Sequence, residues 1–166
     1  MKHKLFFAIC AIALCACNHP VTNPETPEDS ITPPATANAL YVKGFRINAL
    51  YSPLKNMYYR IELSGQSLMG NNIQFAHTDF SAFKLNNDNV PYVILLSPLV
   101  KIGDMPNPLD WYSTFQLTAY AAANISANGA PCLDVTIPAS ELPNKTEYTA
   151  VSSTNGTSVT ILFEYK

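Results

Sequence analysis

Apolar residues recur at every second position through much of the chain after residue 41. Phe45 and Ile47 alternate with Arg46 and Asn48, and the same alternation is found at 59–64 and 159–165. A period of two is that of a β-strand with one buried face, whereas a helix repeats every 3.6 residues. The pattern therefore predicts half-buried strands.

Further strand-like runs lie between these segments, and turn-forming residues separate them. We predict the additional strands at 72–78, 90–97, 112–121, 132–137 and 148–153. Clusters of Gly, Pro, Asn and Asp mark the turns between them, at 86–89, 103–108, 128–129, 143–144 and 155–156. Asn155-Gly156 between two strand-like runs predicts a hairpin.

The fold class follows from this spacing. Helical periodicity is weak throughout, and residues 80–85 are expected to form one helical turn at most. About eight short antiparallel strands in residues 41–166 predict an all-β domain built as a two-sheet β-sandwich.

The N-terminus has the parts of a secretory signal. Lys2 and Lys4 precede an apolar run at 5–16, which as a helix would span about 18 Å. That length is short of the ~30 Å hydrocarbon core of a bilayer. Residues 1–16 are therefore interpreted as a signal peptide.

The motif Leu14-Cys15-Ala16-Cys17 spans the end of this signal, with Cys17 as the first residue after it. Cys17 follows a small residue, whereas Cys10 and Cys15 each follow a large aliphatic one. The motif resembles the cleavage site of bacterial lipoproteins. That resemblance implies a diacylglyceryl thioether and an acylated amino group on Cys17, and attachment to the bacterial outer membrane, on its periplasmic face or at the cell surface. An ordinary signal cleaved within 13–16, with Cys17 unmodified, is the alternative.

Residues 17–40 are interpreted as the acylated cysteine followed by a tether. The segment is rich in Pro, Thr and Asn and offers almost nothing to bury. Within it, Asp29-Ser30-Ile31 resembles the sequon that certain Gram-negative bacteria O-glycosylate, so Ser30 is a candidate glycosylation site.

Cleavage changes the charge and the thiol content of the chain. Lys2 and Lys4 leave with the signal, so ten basic residues fall to eight against twelve acidic ones, a formal charge of −4. This balance argues against a nucleic-acid partner. Cys132 remains as the single free thiol and is interpreted as a small core hydrophobe.

The order of anchor, tether and strands resembles small lipoproteins whose domain is a synaptotagmin-type, calcium- and lipid-binding β-sandwich. Such domains hold calcium with aspartates in loops at one end, but here the loop at 52–56 contains no acid and 121–124 reads Ala-Ala-Ala-Asn. We therefore expect no calcium site, no other metal and no cofactor; the polar cluster at 86–89 is interpreted as a turn. The residues that carry the resemblance are Tyr58-Tyr59, Trp111 and the ending Leu162-Phe163-Glu164-Tyr165.

Two sets of residues remain as candidates for function. Asp110-Trp111-Tyr112 follows a proline-rich loop, and Trp111 with Tyr112 could form a stacking platform for a sugar or peptide. A single Trp at the start of a strand can instead pack at the edge of the hydrophobic core. Cys132 with His77 is the one Cys/His pair in the domain, and a thiol nucleophile needs such a base.

The sequence favours a lipid-anchored, non-enzymatic module of the cell envelope. We expect it to be held at the membrane through Cys17 and to bind a protein or a glycan, or to serve as an accessory part of an envelope assembly. A small thiol hydrolase using Cys132 and His77 is the alternative.

Overall fold

The computed structural model describes residues 32–34 and 36–166. The signal peptide, Cys17, Ser30 and most of the tether lie outside the described residues. The first strand begins at Ala39, whose N–H group and that of Asn38 both donate to the carbonyl oxygen of Lys166, at 2.7 and 2.6 Å.

The described residues form an all-β, two-sheet sandwich, as predicted. Both sheets are antiparallel and have four strands, in the orders β4-β1-β8-β7 and β3-β2-β5-β6. Two three-residue 3₁₀ helices, Ser52–Leu54 and Ala139–Glu141, lie in the connections. The strands are β1 Ala39–Ala49, β2 Tyr58–Ser67, β3 Asn72–His77, β4 Tyr92–Asp104, β5 Tyr112–Ala122, β6 Ala130–Pro138, β7 Glu147–Val151 and β8 Ser158–Tyr165.

The alternation in the sequence sorts residues between core and surface. In β2, Tyr59, Ile61 and Leu63 are buried, while Arg60 and Glu62 between them are partly exposed. The two inner faces together form one core, because the apolar side chains of both sheets pack against each other there and are removed from water. Its largest fully buried members are Tyr59, Phe45, Phe115, Leu40, Ile47, Ile61, Leu63, Leu85, Leu117, Leu133, Ile137 and Leu142.

Strand β4 is longer than the sequence pattern indicated. The strand was predicted at 90–97 with a turn at 103–108, but it runs from Tyr92 to Asp104, which pairs with Ala39. Pro98 is tolerated because β4 is an edge strand that pairs only with β1, so the missing N–H group need not cost a ladder hydrogen bond. Residues 80–85 form no helical turn; Leu85 instead makes an isolated bridge with Met57.

The predicted hairpin at Asn155-Gly156 is confirmed, since these residues lie in the connection between β7 and β8. Gly156 has a φ of +74°, a conformation that glycine adopts without steric cost. Asn155 accepts a hydrogen bond from the Thr157 N–H at 2.9 Å and donates one to the carbonyl oxygen of Cys132 at 2.8 Å.

The sandwich has two ends with different loops. The proximal end is where β1 begins, and it carries the turn at 68–71, the loop at 105–111 and the connection at 139–146. The distal end carries the connections at 50–57, 78–91, 123–129 and 152–157. In the described part of the chain, no helix is long and apolar enough to cross a membrane.

Candidate functional site

The two residues of the predicted aromatic platform, Trp111 and Tyr112, differ in how far they are exposed. The Tyr112 ring packs edge-on against Phe75 with centroids 5.2 Å apart, and lies 5.2 Å from the ring of Phe115. Its hydroxyl donates to the carbonyl oxygen of Ile102 at 3.3 Å, and burial raises the pKa of this phenol. Tyr112 thus fixes the start of β5 to the core, while Trp111 is 71% exposed.

Trp111 has two apolar neighbours that the sequence reasoning missed. Leu68 and Met69 are 68% and 82% exposed, and the Leu68 N–H donates to the carbonyl oxygen of Trp111 at 2.9 Å. These are the three most exposed large apolar side chains among the described residues. We refer to Leu68, Met69 and Trp111 as the apolar tip.

The turn that carries Leu68 and Met69 is closed by its own hydrogen bonds. The Gly70 N–H donates to the carbonyl oxygen of Ser67 at 2.9 Å, and the Asn71 N–H donates to the Ser67 hydroxyl at 3.1 Å. Gly70 has a φ of +83° that suits glycine. An apolar pair followed by Gly-Asn-Asn in a turn is the signal that could have identified this feature from sequence.

A small cleft lies at the same end of the sandwich. It has a volume of about 210 Å³ and is lined by residues 105–110 together with Pro143, Asn144 and Tyr165. Pockets that enclose drug-sized ligands are usually about 300–1,000 Å³, so this one could hold no more than part of a ligand.

The structure does not bring Cys132 and His77 together. His77 lies on β3 and Cys132 on β6, which are the two edge strands of one sheet with β2 and β5 between them. Three strand spacings of about 4.8 Å put roughly 14 Å between them. Cys132 also faces the core whereas His77 is exposed, so no hydrogen bond can join the two side chains.

The surroundings of Cys132 disfavour the thiolate. Its Sγ donates to the carbonyl oxygen of Ala119 at 3.3 Å, and burial raises the pKa of the thiol from 9.0 to about 11. A reactive cysteine needs the opposite shift, produced by a neighbouring positive charge or base.

Carboxylate and imidazole groups are scattered over the described surface. Within residues 32–34 and 36–166, no three His, Cys, Asp or Glu side chains converge as a metal site would require. The polar cluster at 86–89 uses its own side chains in turn formation: the Asn86 N–H donates to Asn89 Oδ1 at 3.0 Å, and the Asp88 N–H donates to Asn86 Oδ1 at 2.8 Å.

The distal end has a larger cleft, which Arg60 helps to line. The guanidinium lies over the rings of Phe80 and Tyr120, at 5.2 and 4.8 Å from their centroids, and its Nη2 is 3.2 Å from Glu62 Oε1. The cleft has a volume of about 490 Å³ and is lined by Arg60, Asp79, Phe80, Ser81, Ala82, Ile125, Ser126, Ala127 and Asn128.

Comparisons with protein-family models, with curated protein sequences and with solved structures give no match for this chain.

Proposed function

We propose that this protein is a lipid-anchored, non-enzymatic module of the bacterial cell envelope that binds a protein or a glycan. The observation that carries the proposal is the Leu14-Cys15-Ala16-Cys17 motif at the end of an apolar signal, followed by a proline-rich segment and a folded domain. Acylation of Cys17 would attach three chains, and two already give stable attachment. The proposed location is the outer membrane, on its periplasmic face or at the cell surface. O-glycosylation of Ser30 remains a proposal.

The non-enzymatic part of the proposal is supported by the placement of the one Cys/His pair in the domain. Cys132 is buried with a raised pKa, and His77 lies on the far edge of the same sheet.

We place the partner surface at the distal cleft around Arg60. Arginine and aromatic side chains are enriched where proteins recognise partners, and here they are combined with hydroxyl, amide and carboxylate groups. Such a mixture suits a polar ligand such as a glycan or a peptide segment. The distal end is also the end of the sandwich farther from the point where the chain leads back to Cys17.

The anchor is tested by replacing Cys17 with Ser. We expect wild-type protein in the detergent phase of a phase-partition assay and the Cys17→Ser variant in the aqueous phase. Mass spectrometry of the N-terminal peptide should find the acyl groups on Cys17. Equal partitioning of the two proteins would contradict the anchor.

The partner surface is tested by capture from native membranes. Anchored wild-type protein is cross-linked in place and purified beside an Arg60→Ala variant and a Lys43→Ala control, since Lys43 is an exposed cation on another strand, β1. We expect a partner with wild type and Lys43→Ala and a weaker yield with Arg60→Ala. Equal recovery by all three, with unchanged melting temperatures, would contradict the assignment of this surface.

A further inference from the structure

We propose that the apolar tip of Leu68, Met69 and Trp111 inserts into the lipid interface beside the anchor. The domain would then stand on the membrane with its proximal end down and its distal cleft facing away. This inference rests on the lipid anchor of the proposed function and adds an orientation to it.

One loop connects the tip to the place where the chain enters the sandwich. At its start, the Met105 N–H donates to the carbonyl oxygen of Asn38 at 2.9 Å. At its end, the carbonyl oxygen of Trp111 accepts the Leu68 N–H at 2.9 Å. Six residues at about 3.5 Å each keep the tip within roughly 20 Å of Asn38. Asn38, from which the chain leads back to Cys17, therefore lies at the same end of the sandwich as the apolar tip.

The chemistry of the tip suits a lipid interface. Single exposed apolar side chains are common on soluble proteins, but the three most exposed ones described here adjoin one another on two loops. Trp is enriched at membrane–water interfaces because its ring is apolar and its indole N–H is polar. Asp110 precedes Trp111 and is exposed, and its carboxylate must stay hydrated. Insertion should therefore reach the interface and not the hydrocarbon centre.

A lipid surface fits the tip better than a protein partner does. A typical protein interface uses about 20 to 30 residues on each side, and three side chains fall far short of that. The 21 residues at 18–38 join the domain to the proposed acyl chains, so the membrane is always within reach of the proximal end. Tethering gives the membrane a high effective concentration, and even a weak contact at the tip is then populated.

Trp111 is the one tryptophan of the chain and reports on the tip directly. Lipidated wild-type protein is reconstituted into phosphatidylcholine vesicles made with and without brominated acyl chains, which quench only fluorophores that reach them. We expect brominated lipid to reduce the Trp111 emission relative to unbrominated lipid, because an interfacial indole lies next to the acyl chains. We also expect the emission maximum to lie at shorter wavelength than in the unanchored Cys17→Ser variant.

Two variants separate tip insertion from attachment. Leu68→Asp/Met69→Asp charges the tip and leaves the reporter in place, while Val151→Asp charges another exposed apolar position, 57% exposed at the distal end. We expect the tip variant to float with vesicles but to lose quenching by brominated lipid, and Val151→Asp to behave as wild type. Flotation of both variants and unchanged melting temperatures would exclude loss of the anchor or of folding as the cause.

Three outcomes would overturn the inference. Wild-type protein that floats with vesicles while Trp111 is quenched by aqueous iodide and not by brominated lipid would leave the anchor intact and refute the inserted tip. Protection of Trp111 from both quenchers would assign the tip to a second copy or another protein. Wild-type protein that fails to float would refute the anchor and the orientation together.

Discussion

The thiol of Cys132 on β6 donates a hydrogen bond to the carbonyl oxygen of Ala119 on β5, with 3.3 Å between sulfur and oxygen. Both residues are buried, and the sulfur occupies core space between two paired strands. Burial raises the pKa of the thiol to about 11, so at neutral pH it is protonated and can keep donating. In this setting Cys132 packs as a small hydrophobe.

We predict that Cys132→Ala lowers the free energy of unfolding by about 1 kcal/mol at pH 7, because it removes one packed atom and leaves a small cavity. Urea unfolding of a chain that starts at residue 18, in which Cys132 is the single cysteine, measures the change. A charged thiol reagent should label the native chain slowly and the unfolded chain quickly. Fast native labelling that slows in a His77→Ala variant would instead support the hydrolase.

The same burial predicts a pH dependence. Below pH 9 the thiol is protonated in both the native and the unfolded chain, so its ionisation does not change the free energy of unfolding. Between pH 9 and about 11 it ionises in the unfolded chain while the native thiol stays neutral, so stability falls as pH rises. At pH 10 this loss is on the order of 1 kcal/mol.

Cys132→Ala lacks this loss, so the stability gap between wild type and variant should nearly close at pH 10. Unfolding in urea at pH 7.5 and pH 10 checks it. Burial together with a hydrogen bond to Glu141 also raises the pKa of Tyr148 to about 12, but that tyrosine is present in both chains and cancels in the comparison. A gap that stays constant would mean that the thiol ionises equally in both states.

The alternating pattern of the sequence was sufficient to predict the fold class and the approximate position of each strand. The core face of β2 could be assigned because Tyr59, Ile61 and Leu63 alternate strictly with polar residues. The end of β4 could not, because Pro98 normally stops a strand and only its position at a sheet edge permits it. Edge or central position depends on pairing between distant strands, which the local pattern does not contain.

The candidate site was harder to predict for the same reason. Trp111 could be singled out as the one tryptophan, yet its neighbours Leu68 and Met69 lie more than 40 residues earlier in the chain. They meet because Ser67 pairs with Tyr112 at the ends of β2 and β5. Cys132 and His77 were the one Cys/His pair that the sequence offered for the alternative function, and the strand order separates them.

A polar network on the outer face of the first sheet provides a second stability test. Thr160 on β8 is fully buried there, accepts a hydrogen bond from Asn48 Nδ2 at 2.8 Å and shares another with the Thr149 hydroxyl at 2.7 Å. Asn48 Oδ1 in turn accepts from Arg46 Nε at 2.9 Å. The hydroxyl of Thr160 is thus the centre of the network.

We predict that Thr160→Val destabilises the fold by about 0.5 to 1.5 kcal/mol, because the shape is kept while the partly buried Asn48 amide loses its 2.8 Å acceptor and retains only the Ser158 hydroxyl at 3.4 Å. Thr149→Val is the comparison variant: it also removes the bond between the two threonine hydroxyls but leaves the Asn48–Thr160 bond intact, and because Thr149 is exposed its loss should cost less than about 0.5 kcal/mol. Thermal or urea unfolding of both variants measures the difference. Equal effects at the two positions would mean that the bond from Asn48 to Thr160 adds no stability beyond the threonine–threonine bond that both variants lose.

The last prediction concerns Gly103, where β4 passes under the loop that ends at Trp111. A Cβ atom at this position would lie only 2.8 Å from the carbonyl carbon of Pro108, which belongs to the backbone and cannot rotate away. Gly103→Ala should therefore force the loop at 105–111 outward and cost about 1 to 3 kcal/mol. Asp104→Ala is the control, because the exposed Asp104 side chain makes a surface ion pair with Lys101 and such pairs contribute about 0 to 1 kcal/mol. Since the displaced loop holds Trp111 against Leu68, Gly103→Ala should also change the Trp111 emission of the folded protein, whereas Asp104→Ala should leave it unchanged. An unchanged melting temperature and emission in Gly103→Ala would mean that the loop at 105–111 can move aside freely, and that the close approach of Pro108 to β4 does not position the apolar tip.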